Sequence, residues 1–394
     1  MKKIPFSTTL AALSLSNPCW GSDDADMLPA TPLAFEAAYT GELWRNVHGG
    51  ARQDTAYLDN VDLAAAFDAE QAFGLTGTSL WISALYNNRS TFSDRAVGDL
   101  QTVSNIDTDG ALRLYELWVE HESESAAFKG GLIDLNSEFD VNETGALFIN
   151  SSHGIGPDFS QVGENGPAIF PITGLGLRAR FDLGARVQAL AGVFEGTVGD
   201  PMRPRRTTVR IDGDEGTLLV GEIRVKATPQ LRASVGIWRH SDVATDLSSD
   251  GERKRESLGT YALVDGAIAN FDRHDLNGFV RIGFADPDIH QIARYQGIGV
   301  VLSGPLFAGA AQEEQLGIAV GAVTNGTPFR NMQAAAGTRV ERRETAIELT
   351  YRIQVNSWLA LQPDVQYIIN PGTDPALDNA LVMGLRFELA YSGM

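Results

Sequence analysis

The stretch IELTYRIQVNSWLALQPDVQYIINP, residues 347–371, alternates with period two through two consecutive segments. Ile347, Leu349, Tyr351, Ile353 and Val355 are apolar, and after Asn356-Ser357-Trp358 the odd positions resume as Leu359, Leu361, Pro363, Val365, Tyr367 and Ile369. Between them stand Glu348, Thr350, Arg352, Gln354, Gln362, Asp364 and Gln366. Neighbouring side chains on a strand point to opposite faces, so this pattern makes one uncharged face and one ionic face. Val355 and Leu359 keep their parity across the intervening turn, which gives both strands a common outward face. The last segment, ALVMGLRFELAY, alternates in the same way.

Segments of this kind start near residues 33, 55, 78, 111, 126, 173, 185, 216, 230, 256, 276, 295, 313, 342, 359 and 379. Short connections at HESES, DLGA, ATPQ and NSW alternate with longer ones near 90–110, 136–172, 196–215, 242–255, 286–294 and 324–341. That alternation puts the short turns at one end of an antiparallel barrel and the long loops at the other. A soluble sandwich would also alternate, but its apolar face needs a second sheet to cover it. No apolar run is long enough for a membrane-spanning helix. The pattern predicts an all-β, transmembrane antiparallel barrel of about 16 strands. Aromatics near strand ends, such as Trp358, Tyr367 and Tyr391, belong at the lipid headgroup level.

The first residues, MKKIPFSTTLAALSLSNPCWG, read as a secretory signal peptide over 1–21, leaving a barrel domain over 22–394. Lys2 and Lys3 form its positive end, and their removal takes the formal charge from -19 to -21. Cys19 is the only cysteine, so the exported chain would hold itself together without disulfides. Acidity at this level argues against nucleic acid as a partner. The 41 glycines suit turns and closely packed strands rather than long helices.

The longest connection, roughly residues 136–172, lies between the fifth and sixth segments, which makes it the third loop at the long-loop end of the barrel. It mixes acids (Glu138, Asp140, Glu143, Asp158, Glu164) with Phe139, Phe148, Phe159 and Phe170. So many large apolar groups suit a loop folded into the lumen against the wall; a hinged external flap is the alternative. Parity turns Arg178, Arg180, Glu222, Arg224, Lys226 and Arg281 inward, with Arg352, Arg386 and Glu388 from the last strands. Trp118 and Trp238 share that parity beside Glu116 and His240. A basic wall facing an acidic loop would orient water and hydroxyls, and an indole face matches the C–H surface of a sugar. The candidate constriction is therefore Glu116, Trp118, Glu138, Asp140, Asp158, Arg178, Arg180, Glu222, Arg224, Trp238 and Arg281. For many of these, intrabarrel ion pairing on a solvated face is the plainer reading.

Asn105, Asp107, Asp109, Gly110 and Glu116 match a calcium-loop spacing, but the flanks are not helical. ALRLYELWVE reads as a strand that points Glu116 into the barrel. No His or Cys cluster suggests a metal, no glycine-rich loop opens a helix, and no cofactor is implied.

GLIDLNSEF at 131–139, NSSHGIGPDFSQ, NGPAIFPITGLG, LYELWVE and the ending YIINPGTDPALDNALVMGLRFEL resemble the carbohydrate-selective porin family of OprB type. The resemblance extends over nearly the whole chain after the signal segment. It implies a sixteen-stranded outer-membrane barrel of a Gram-negative bacterium, passing sugars by passive diffusion, with the third loop narrowing the pore. The implied partners are small neutral sugars and outer-membrane lipids, with monomer or homotrimer left open. The chain departs from the family at His153, where an aromatic is usual, and at Gly174, where alanine is usual. Ser392-Gly393-Met394 also follow Tyr391, where such barrels commonly end on an aromatic. A general porin without sugar preference and an outer-membrane barrel enzyme are the competing readings. An adhesin or structural barrel would have a plugged lumen and no conductance.

Overall fold

The computed structural model describes residues 32–200, 203, 205–209, 216–247, 254–307 and 313–393, so the segment read as a signal peptide lies outside the described residues. The strands are β1 (Leu33–His48), β2 (Thr55–Asp68), β3 (Thr78–Asn87), β4 (Ala111–Glu122), β5 (Ala126–Ile133) and β6 (Gly174–Asp182). They continue as β7 (Val187–Glu195), β8 (Thr217–Thr228), β9 (Leu231–Thr245), β10 (Lys254–Phe271) and β11 (His274–Ala285). The ring is completed by β12 (Ile292–Ser303), β13 (Glu314–Asn325), β14 (Arg343–Asn356), β15 (Leu359–Ile369) and β16 (Ala380–Gly393). Each strand pairs antiparallel with its sequence neighbours, and β1 closes onto β16 from Phe35↔Gly393 to His48↔Leu381. Each start lies within three residues of the position read from periodicity.

Closure leaves no edge strand, so backbone donors and acceptors are satisfied without water. Outward parity carries Leu43, Leu63, Ile82, Leu117, Phe128, Leu177, Ile298, Ile318 and Leu349, all open to the exterior. Trp358 and Tyr391 stand outward at the short-turn end and Tyr367 near the other, marking both edges of this band. Ser392 and Gly393 extend β16 rather than trailing from it, opposite Glu36 and Phe35.

Two local irregularities shape the ring. Pro363 has no N–H to donate, and the β14–β15 pairing is interrupted there, between Thr350↔Asp364 and Ile353↔Leu361. In β4 the partner of Ser83 is Glu116 and that of Ala84 is Leu114, which leaves Tyr115 as an extra residue. This bulge turns both Tyr115 and Glu116 inward, where they are buried.

The core is inside the barrel. One apolar cluster packs Phe139, Phe159, Val162 and Ala168 of the third loop (L3) against Trp81, Trp118, Leu190, Phe194, Trp238 and Tyr261. A second packs Phe92, Val97, Val103 and Ile106 of the second loop (L2) against Trp44, Leu58, Ile368 and Val382. L3 therefore folds into the lumen as its composition predicts. L2 folds in as well, which the sequence reading did not anticipate.

Leu349 sits midway along the outward band, between Ile318 on β13 and Val365 on β15. Leu349→Arg should cost about 2–4 kcal/mol of barrel stability, the charge facing hydrocarbon. Urea titration of folded protein in lipid vesicles reads this directly; an unchanged midpoint would contradict the placement.

Candidate functional site

L3 leaves the wall at Ile133 and returns at Gly174. The bulged Tyr115 donates its hydroxyl to Asp134 at 2.5 Å. A single turn of helix follows (Leu135–Glu138), with the Asp134 carboxylate accepting from Asn136 N at 2.8 Å.

The wall then grips the loop mainly through its backbone. Glu222 accepts Asp140 N at 2.8 Å, and Asp265 accepts Glu143 N and Thr144 N at 3.1 and 3.0 Å. Glu348 accepts Ile149 N and Asn150 N at 2.6 and 3.1 Å, and Gln362 donates to Leu147 O at 2.7 Å. One side-chain clamp dominates. The guanidinium of Arg281 reaches Asp140 through Nε and Nη2 at 2.9 and 2.6 Å, and Asp158 through Nη1 at 2.6 Å. It stands 5.6 Å from the Tyr261 ring and 5.3 Å from the Tyr295 ring.

Two glycines make room for this clamp. A Cβ on Gly283 would lie 2.0 Å from Asp158 Oδ2, and one on Gly156 would lie 2.0 Å from Arg281 Nη1. His153 is buried with its ring 5.2 Å from Phe148 and 5.8 Å from Phe279. Burial pushes its pKa down to about 3, so it is neutral at ordinary pH.

On its other side L3 borders an open space of about 870 Å³. Around that space the wall changes sign. Asp62 on β2 with Glu116 and Glu120 on β4 give way to Lys129 on β5, Arg178 and Arg180 on β6, Arg224 and Lys226 on β8, and Arg232 on β9. Glu138 of L3 joins the two arcs. It pairs with Lys129 and accepts from Arg178 Nε at 2.6 Å, while Arg178 also donates to Glu120 at 2.5 Å. Burial alone would raise the Glu138 carboxyl; Lys129 and Arg178 outweigh it and hold the group at about 2, against an ordinary 4.5. Trp81 borders the space from within the apolar cluster, nearly fully buried, and stacks on Trp118, ring centroids 6.1 Å apart at 13°. Lys129 Nζ lies 3.9 Å over the Trp118 ring.

The sequence matches the carbohydrate-selective porin family, OprB, over residues 52–391. The chain belongs to that family. Porin B of Pseudomonas aeruginosa is 22% identical, over 94% of this chain and 90% of that protein. The high-pH structure of OprB from Pseudomonas putida superposes with a TM-score of 0.80 at 19% identity, covering 91% of this chain and 94% of that one. A trimer form of in-vitro folded OmpT from Vibrio cholerae shares the fold, with a TM-score of 0.53, 11% identity, and coverage of 91% and 99%. The protein is thus a sugar-selective porin of the Gram-negative outer membrane.

The porin's predicted site residues fall into two groups. Glu116, Glu138, Arg178, Arg180 and Arg224 border the open space. Asp140, Asp158, Glu222 and Arg281 lie in the clamp on the wall side of L3 and are buried. Trp118 sits one layer behind Trp81, and Trp238 stacks on Phe159 beneath the loop at 5.5 Å. The expected basic wall facing an acidic loop across water is instead partly closed by direct pairing. His153 and Gly174, where the chain departs from the family, are both buried, and neither lines the space. Glu116 of the calcium-like spacing lines the lumen, and Asp107 accepts Phe92 N and Ser93 N at 3.1 and 2.7 Å. Asp62, Trp81, Glu120, Lys129 and Arg232 were missed. Trp81 had a signal, because Ser79 and Ser83 share its parity.

Arg281→Ala should leave two buried carboxylates without their cation and weaken the L3 anchor by about 3–5 kcal/mol. Larger and noisier single-channel current than wild type is the expected readout. Glu138 gives a pH test. Its folded pKa lies below its unfolded value, so its contribution, on the order of 3 kcal/mol, is present above about pH 4.5 and lost as pH falls toward 2. The stability difference between wild type and Glu138→Gln should be flat above pH 5 and shrink below 4.5; a flat difference down to pH 2 would refute this.

Proposed function

We propose that neutral mono- or oligosaccharides cross this porin passively through the space between L3 and the β2–β9 wall. The change of sign around that space carries the reading. Carboxylates accept from sugar hydroxyls and guanidiniums donate to them, so one solute finds both partners across a short gap. Either sign of small ion meets one repelling arc. Binding must stay weak, since a tightly held sugar would not leave. Glu116, Glu138, Arg178, Arg180 and Arg224 line the path in this reading, together with Asp62, Lys129 and Arg232. The clamp residues Asp140, Asp158, Glu222 and Arg281 act by holding L3, and the protein serves as a channel without a catalytic step.

Refolded porin in a planar bilayer, titrated with glucose, maltose and a charged organic acid, tests this. Current should fall saturably with a neutral sugar and not with the acid. Arg180→Ala should weaken the sugar block roughly three- to tenfold, the worth of about one hydrogen bond. Open channels indifferent to every sugar would mark a general porin. Hydrolysis of ester or peptide substrates by the folded barrel would overturn the channel-only reading. The same traces report assembly: a homotrimer closes in three equal levels, a monomer in one.

A further inference from the structure

The outer wall of β12, β13 and β14 carries an ordered ladder of rows near the long-loop end. Arg294 pairs with Thr324 and Thr324 with Arg343; the next row is Gln296, Ala322 and Thr345; the third is Ile298, Val320 and Ile347. Val300, Ile318 and Leu349 follow, then Leu302, Leu316 and Tyr351. Charge gives way to amide and hydroxyl, and these to hydrocarbon, with a tyrosine at the far edge. The stretch from Arg294 to Leu302 covers about 27 Å of strand, or roughly 20 Å along the axis at a tilt of about 40°. That is close to the height of a lipid-facing band, and it sets Arg294 and Arg343 at the headgroup level of the outer leaflet.

Neither guanidinium makes an ion pair among the described residues. Arg239, outward at the same end, is held by Glu256 at 2.8 Å. Arg294 Nε and Thr324 Oγ1 are covered and have no hydrogen-bond partner among the described residues. Arg294 and Arg343 are two strands apart, about 10 Å between backbones, near enough for both side chains to converge on one group. Two adjacent uncompensated cations on a chain of formal charge -19 call for an external anion. Phe284 of β11, half exposed beside Arg294, adds an apolar contact on the membrane side. We propose that Arg294 and Arg343, flanking Thr324, bind a phosphate of an outer-leaflet glycolipid headgroup. The two long side chains keep their stems along the apolar wall and reach the phosphate with their heads.

The test uses full-length refolded porin in detergent, titrated with purified diphosphorylated lipid A and followed by native mass spectrometry. Wild type should retain the lipid saturably. Arg294→Ala/Arg343→Ala should weaken retention by at least about tenfold, as expected for losing charge-assisted contacts. Arg45→Ala, which removes an outward arginine on β1, should change it little. Millimolar inorganic phosphate should fail to displace the lipid, since the site reads a headgroup anchored in the membrane. Equal retention by the double variant, equal retention of dephosphorylated lipid, or equally tight binding of free phosphate would each overturn the proposal. So would a changed oligomeric state with lipid retention unaltered, which would assign the row to a subunit contact. Conductance and sugar block of the double variant should match wild type, because both side chains lie outside the barrel. That keeps failure here distinct from failure of the pore reading.

Discussion

Hydrocarbon offers a peptide group no hydrogen bond, and the architecture follows from that denial. Each strand must be flanked on both sides, so the first must meet the last, and β1 pairs with β16 over most of its length. Once the ring is closed, the faces have no freedom. Outward residues of the central band face lipid, and at that depth most charged and amide side chains are turned into a lumen too wide for wall side chains to fill.

L2 and L3 solve the filling problem. Phe139, Phe159 and Val162 supply apolar matter against one half of the wall, and Phe92, Val97 and Ile106 against the other. The lumen thereby acquires apolar cores of ordinary protein character with a polar crevice beside them. Arg281 belongs to this packing as much as to electrostatics. Its guanidinium is buried, sandwiched near two tyrosine rings, and saturated by two loop carboxylates. A charge taken out of water so completely is tolerable only with that full set of partners.

Strand positions and facing were legible because they depend on the local period of two and on its breaks. Arg178, Arg180, Arg224 and Arg281 face inward as their parity requires. Parity does not say which inward group meets which. Whether an arginine borders the crevice or disappears under a loop depends on where L3 lands on distant strands, and contacts such as Arg281 with Asp158 join residues far apart in the chain. The bulge at Tyr115 was invisible for a different reason: an extra residue shifts the frame without changing composition. L2 was legible in principle. Its Phe92, Val97, Val103 and Ile106 are the same kind of signal that marked L3, spread through a more polar stretch. The aromatic composition of L3 pointed to its fold-in and the inward indoles pointed toward sugars, and the family resemblance implied both again; periodicity alone could supply neither.

The wall carboxylates Glu222, Asp265 and Glu348 hold L3 by its main-chain amides, and Glu344 holds L2 the same way, through Leu100 N at 2.8 Å. An amide is present at every position except proline, whatever side chain it carries. Much of the grip on the loops is therefore indifferent to their sequence, while the crevice they border reads their side chains. Lineages of such porins can exchange crevice-facing loop residues, and with them the solute preferred, without first rebuilding the scaffold that keeps the loops in place.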